Sequence, residues 1–173
     1  MKKLVSCYKK IYKDKRMKEH IPSMMELIVE PTDLDCKHVV KHFLGLTRAE
    51  AQKMIADEKP YPCSTYTEDL MWMAPKGVSY YLTSFIEAYK IQLNRGGDEY
   101  AAELGGGILC SLSFHADYHP EVIIDNWEVI SDFISFLRSN DTALLKDKLY
   151  CQYISEINAV GEANAIRFQG NSE

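Results

Sequence analysis

The amino-acid sequence predicts an all-α protein, an irregular single-domain helical bundle of about seven helices. Three observations carry that expectation. Apolar side chains recur at intervals of three and four residues along most of the chain. No stretch of useful length alternates apolar with polar residues, as a half-buried strand would. The periodic runs are separated by proline, glycine and helix-capping residues. At 173 residues the chain suits one core, large enough to need no metal or disulfide staple, and no repeat of 20 to 50 residues is visible.

The elements follow in order. Leu4, Tyr8, Ile11 and Tyr12 stand at helical spacing among lysines, which predicts a basic amphipathic first helix over residues 1–20, ending before Pro22. The PTDLD turn at 31–35 introduces a helix through His42 and Leu44, closed by Gly45 in a left-handed position. Thr47 and Glu50 form a capping box, each satisfying a backbone N–H of the other, for a helix over 48–57. EKPYPCST is expected as a loop, with a second box, Thr65 and Glu68, opening a short helix through Trp72. Pro75 suits the first position of the next helix, where Val78, Tyr81, Leu82, Phe85, Tyr89 and Leu93 face inward until Gly96-Gly97.

Asp98 is a cap for a further helix. Ala101, Leu104, Ile108 and Leu112 keep the helical period across Gly105, Gly106 and Gly107. Three interior glycines cost about 1 kcal/mol each against alanine, so either the helix breaks there or a neighbour packs unusually close. After His119-Pro120 comes the strongest stripe, Ile123, Trp127, Ile130, Ile134 and Leu137, widened by Val122, Val129, Phe133 and Phe136. It predicts one central helix. The last helix is expected from about Thr142 to Val160, with Leu145, Leu149, Tyr153, Ile157 and Val160 inward. The domain then ends near residue 165, with 166–173 a frayed tail.

Composition narrows the function. Residues 1–20 carry eight Lys/Arg against Asp14 and Glu19, a net +6, which leaves twelve against 23 Asp/Glu, or −11, over 21–173. An acidic body repels nucleic acid, so nucleic acid is not an expected partner. Five scattered cysteines without a CxxC pair fit free thiols in a reducing compartment. The chain shows neither a secretory signal nor a run approaching the ~20 apolar residues of a membrane span, so a cytoplasmic location is expected.

Chemistry-bearing patterns are sparse. His38 with His42 and His115 with His119 are i,i+4 pairs, a spacing that sets both imidazoles on one helix face. In HADYHPE, His115, Asp117 and His119 make a candidate transition-metal site of nitrogen and oxygen ligands, with Glu121 alongside. The bland alternative is a polar turn before a proline, and HEXXH is absent. Cys36 and His38 are two apart on a helix and do not face each other. Cys110 sits in the apolar run ILCSL, where a thiol is a small core residue. ELGGGIL lacks the lysine, the preceding strand and the glycine spacing of a phosphate loop. The acidic clusters Asp33/Asp35, Asp98/Glu99/Glu103 and Glu121/Asp125 lie at helix starts, where the macrodipole favours them.

The segments KHFLGLTRAEAQKMI (41–55) and TEDLMWMAPKGVSYYLTSFIEAY (67–89) resemble an uncharacterised bacterial protein family, a domain of unknown function. Phe43, Leu44, Gly45, Thr47, Glu50, Ala51, Trp72, Pro75, Tyr80, Tyr81 and Leu82 carry the resemblance, which spans the middle third of the chain. It implies a fold and no activity, because those residues are a cap, a turn and a core stripe. Some similar small acidic proteins are immunity partners of secreted toxins. The expectation is therefore a non-enzymatic protein-binding module of a bacterial cytoplasm, an immunity-type antagonist of a basic toxin. It calls for no cofactor and for a partner protein with a basic surface. The alternative is a metal-dependent enzyme using His115, Asp117 and His119.

Overall fold

The computed structural model describes residues 20–57, 60–96, 98–141 and 143–169, without the side chains of 98 and 165–169. It is 81% helical, with nine helices and no strand among the described residues. They are α1 (Met24–Leu27), α2 (Leu34–Phe43), α3 (Arg48–Ala56), α4 (Cys63–Trp72), α5 (Pro75–Asn94), α6 (Asp98–Tyr118), α7 (Pro120–Asp125), α8 (Trp127–Asn140) and α9 (Lys148–Gln169). A 3-10 turn, Leu144–Lys146, precedes α9. The expected basic first helix falls on residues 1–19, outside the described residues, as does the expected stop at Gly97.

Local chemistry sets most boundaries. The Asp33 carboxylate accepts from the backbone N–H groups of Asp35 (2.7 Å) and Cys36 (3.2 Å), which starts α2. Gly45 closes α2 at φ 83° and Gly96 closes α5 at φ 74°, the left-handed region where a Cβ would clash. The Thr47–Glu50 box opens α3, with the Thr47 N–H donating to Glu50 at 2.9 Å. Pro75 occupies the first position of α5. The expected Thr65–Glu68 box is corrected: the cap falls three residues earlier at Pro62, α4 begins at Cys63, and Thr65 lies in its first turn.

The helix count exceeds seven for two local reasons. Ser23 and Glu26 make a capping box for the single turn of α1, which seats Leu27 in the core. The Ala74 N–H donates to the Leu27 carbonyl at 2.9 Å, and an isolated antiparallel bridge joins Ile28 to Met73. The long stripe after Pro120 is broken at Asn126, whose side-chain amide donates to the Val122 carbonyl and to the Ser79 hydroxyl, both at 2.8 Å. A side chain bonding the backbone locally competes with helix propagation.

The centre of the bundle is α6. It packs against α4, α5, α7, α9 and the 3-10 turn, and Ala101, Leu104, Ile108, Leu109 and Leu112 are fully buried on it. Its glycines do not break it. A methyl group at Gly105 would stand 2.9 Å from the Tyr89 ring, at Gly106 2.5 Å from the Tyr150 hydroxyl, and at Gly107 2.5 Å from Thr67 Oγ1. The expected central helix, α8, packs instead at the margin, sending Phe133 and Phe136 edge-on to the Tyr89 ring. A strong one-sided stripe marks a helix with a wet back, whereas a helix apolar around its circumference is the enclosed one.

The end of the chain also differs from expectation. Asp141 and Asp147 accept backbone N–H bonds from Leu144 (3.0 Å) and Leu149 (2.8 Å), so α9 starts at Lys148. Its buried stripe is Ile154, Ile157 and Gly161, and Leu149 points outward at 48% exposure. Gly161 continues the stripe without being apolar because the Trp127 ring lies directly on it. The helical backbone consequently runs to Gln169, past the expected boundary at 165.

Candidate functional site

Between the segment after α1 and the carboxy-terminal ends of α4 and α6 lies an open groove. Val29, Glu30, Asp33, Cys36, Met71, Trp72, Met73, Phe114 and His119 line it. Three stretches of chain meet here. The Ile28–Met73 bridge holds Val29 and Trp72 side by side, because the two bridged residues are their immediate neighbours. Asp33 is fixed as the cap of α2, and the Cys36 thiol packs 3.9 Å from the Trp72 carbonyl.

The walls of the groove are aromatic and only partly covered. The Trp72 ring centroid is 5.9 Å from that of Phe114, which stacks at 4.6 Å on Tyr118 one turn further along α6. Trp72 is 39% exposed, Tyr118 67% and Val29 57%, and Leu34 beside Asp33 is 73% exposed. Isolated exposed apolar residues are ordinary, but a contiguous set with a charged border marks an interaction surface. Glu30 and Asp33 are the charged lining residues, and Asp117 and Glu121 are exposed on the adjoining turns of α6 and α7. The lining holds no lysine or arginine.

The expected metal residues do not converge. His115 is fully buried, with Nε2 3.0 Å from the Leu70 carbonyl, and burial pushes its imidazole below the ordinary histidine range. Asp117 is exposed, while half-buried His119 lies 3.6 Å from Glu121 through Nδ1. The His115 and His119 rings are 5.7 Å apart, and no three His, Cys, Asp or Glu among the described residues are placed to hold an ion. The helix that keeps 115 and 119 on one side turns 117 away.

The other histidine pair yields a feature that sequence reading missed. His42 on α2 and Asp69 on α4 meet at 2.6 Å (Nδ1 to Oδ2), each side chain 4% exposed. Burial raises Asp69 to about 7 and lowers His42, with Lys41 adding to the latter. Both directions disfavour charge, and so short a contact requires a hydrogen between the two atoms. The His42 ring is enclosed by Tyr61 at 4.6 Å, Tyr66 at 5.9 Å and the exposed His38 at 5.8 Å. Closed in this way, it works as a polar clamp between α2 and α4. A second cleft, lined by Leu93, Asn140, Asp141, Leu144, Asp147 and Tyr150 among others, has its carboxylates engaged in structure. Asp141 accepts a hydrogen bond from the Tyr89 hydroxyl at 2.8 Å.

Known family models, curated proteins and solved structures offer no match to this chain. Trp72 and Phe114 are 42 positions apart in the chain. Only the packing of α4 on α6 makes them neighbours, and no spacing rule anticipates it. Trp72 ends its helix half in solvent and Tyr118 lies almost wholly outside, and that wasted apolar area was the available hint.

Proposed function

We propose that the chain is a non-enzymatic protein-binding module, an immunity-type antagonist of a bacterial cytoplasm whose partner is a basic protein such as a nuclease toxin. The observation that carries this reading is the open groove walled by Trp72 and Phe114, with exposed Tyr118 against the Phe114 ring and Glu30 and Asp33 in the lining. The charge of −11 over residues 21–173 supports it from a distance, because an acidic body accelerates encounter with a basic partner at low salt. Buried aromatic anchors dominate such interfaces, each costing 2 kcal/mol or more on truncation, about 30-fold in affinity.

The test is rescue of cells expressing the protein encoded beside this one, together with binding of the two purified proteins. The intact chain rescues and binds; Trp72→Ala with Tyr118→Ala loses both while unfolding at nearly the same temperature. Rescue and affinity indifferent to that pair of substitutions, or no interaction at all, would remove the proposal.

A further inference from the structure

We propose that the groove walled by Trp72 and Phe114 is the binding site for an arginine side chain of the basic partner, its guanidinium lying on the Trp72 ring and shared by the carboxylates of Glu30 and Asp33. This names the partner group that the groove takes and rests on the docking reading above.

Charge complementarity is the first argument. Glu30 accepts from the Thr32 N–H (3.1 Å) and hydroxyl (2.8 Å) through Oε1 alone. Asp33 accepts from the N–H groups of Asp35 and Cys36 through Oδ1 alone. Each keeps its second oxygen, Oε2 and Oδ2, without a hydrogen-bond or ion-pair partner among the described residues. The Thr32 bonds hold the Glu30 carboxyl below the ordinary carboxylate range, against the opposing charge of Asp33 close by. Two like charges at one groove repel each other, and a cation between them relieves the repulsion. The local bonds also fix both groups before a partner arrives, so little ordering remains to be lost on binding.

Placement is the second. The Ile28–Met73 bridge sets Val29 beside Trp72, and Glu30 is the next residue. Asp33 holds the Cys36 N–H at 3.2 Å, and the Cys36 thiol packs 3.9 Å from the Trp72 carbonyl. Both acids and both rings line the same groove, with the ring centroids 5.9 Å apart and the planes tilted by 55°. Rings so inclined make two adjoining walls, and a flat group can lie on one face with its edge free.

The shape of the cation is the third. A guanidinium is planar, stacks on an indole face and offers paired N–H donors along its edge to carboxylate oxygens. An ammonium is a compact, strongly hydrated point charge that gives up more water to enter a half-covered site. His119 is the one basic side chain in the lining, and its Nδ1 lies 3.6 Å from Glu121.

The experiment uses the full chain labelled with nitrogen-15. The two tryptophans give two indole N–H resonances, and Trp72→Phe identifies that of Trp72. Capped Gly-X-Gly peptides, with X arginine, lysine or the neutral isostere citrulline, are titrated at constant ionic strength. Expected is saturable movement of the Trp72 resonance by the arginine peptide, Trp127 unmoved, with affinity about tenfold above citrulline and lysine in between. Glu30→Gln and Asp33→Asn keep the local hydrogen-bond acceptors, so each is expected to unfold at the parent's temperature while weakening the arginine peptide about threefold. A Trp72 resonance that the arginine peptide leaves in place overturns the proposal. So does citrulline or lysine binding as well as arginine, which would make the groove a general apolar or a general acidic surface. Full affinity in Glu30→Gln with Asp33→Asn overturns it too. The two readings fail separately. Partner binding lost in Trp72→Ala with Tyr118→Ala, while the arginine peptide leaves the resonance unmoved, removes only the arginine site. Binding of the arginine peptide alongside a failed rescue removes the protein partner and keeps the site.

Discussion

Removing either member of the His42–Asp69 clamp is expected to cost about 1 to 3 kcal/mol, because the survivor stays buried with an unpaired polar group. Both side chains are 4% exposed and meet at 2.6 Å, so the bond left behind cannot be replaced by water without opening the α2–α4 contact. In a protein of this size 1 kcal/mol moves the melting temperature by roughly 2–4 °C, which places His42→Ala and Asp69→Ala roughly 2–12 °C below the parent. Asp69→Asn keeps an acceptor for the imidazole N–H and is expected to lose less. His42→Leu with Asp69→Leu, which removes both polar groups together, is expected to be milder than the sum of the two leucine singles. Urea unfolding of the leucine cycle measures the coupling. Singles costing under about 1 kcal/mol, or a double equal to the sum of its parts, would show that the two groups do not depend on each other.

The same clamp sets a pH response. Asp69 is raised to about 7 from 3.8, so its contribution is complete below about 4 and is lost as pH climbs through 7. His42 is lowered from 6.5, so its contribution is present above 6.5 and is lost as pH falls through its folded value. Below 6.5 and above the folded value of His42 the two slopes oppose each other, whereas from 6.5 to about 7 only Asp69 still titrates and the pair's contribution is expected to fall. Chemical denaturation across pH, parent against His42→Leu/Asp69→Leu, isolates that difference. Thr47→Ala loses the capping box of α3 and is expected to cost about 1 kcal/mol by the same assay. Gly107→Ala gains about 1 kcal/mol of helix propensity but drives a methyl into Thr67, where overpacking costs about 1–3 kcal/mol. Net destabilisation is expected, with part of the loss recovered by Thr67→Ser, and a higher melting temperature for Gly107→Ala alone would contradict the close packing.

Much of the helical order was legible because it is written in neighbours. The Thr47–Glu50 box, Pro75 and the glycines at 45 and 96 each act within four residues of the boundary they set. What escaped depends on partners far along the chain. Gly161 extends the inward face of α9 only because Trp127 covers it, and a glycine gives no apolar signal. Leu149 was expected inside and Tyr150 took that place, because Asp147 starts the helix six residues later than the turn at 140–141 suggested. The metal expectation needed Asp117 beside His115 and His119, whereas α6 stays helical to Tyr118 and carries Asp117 on another side. The groove itself was invisible, since its walls come from three separate stretches.

The glycine triplet of α6 has a consequence for how the protein can vary. Successive residues on a helix point about 100° apart, so three adjacent notches open towards three different neighbours: Tyr89 of α5, Tyr150 of α9 and Thr67 of α4. Each neighbour is keyed separately to the same axle. Sliding any of them by one residue would seat it against a side chain where a bare backbone is needed, so alignment along the axle is set three times over.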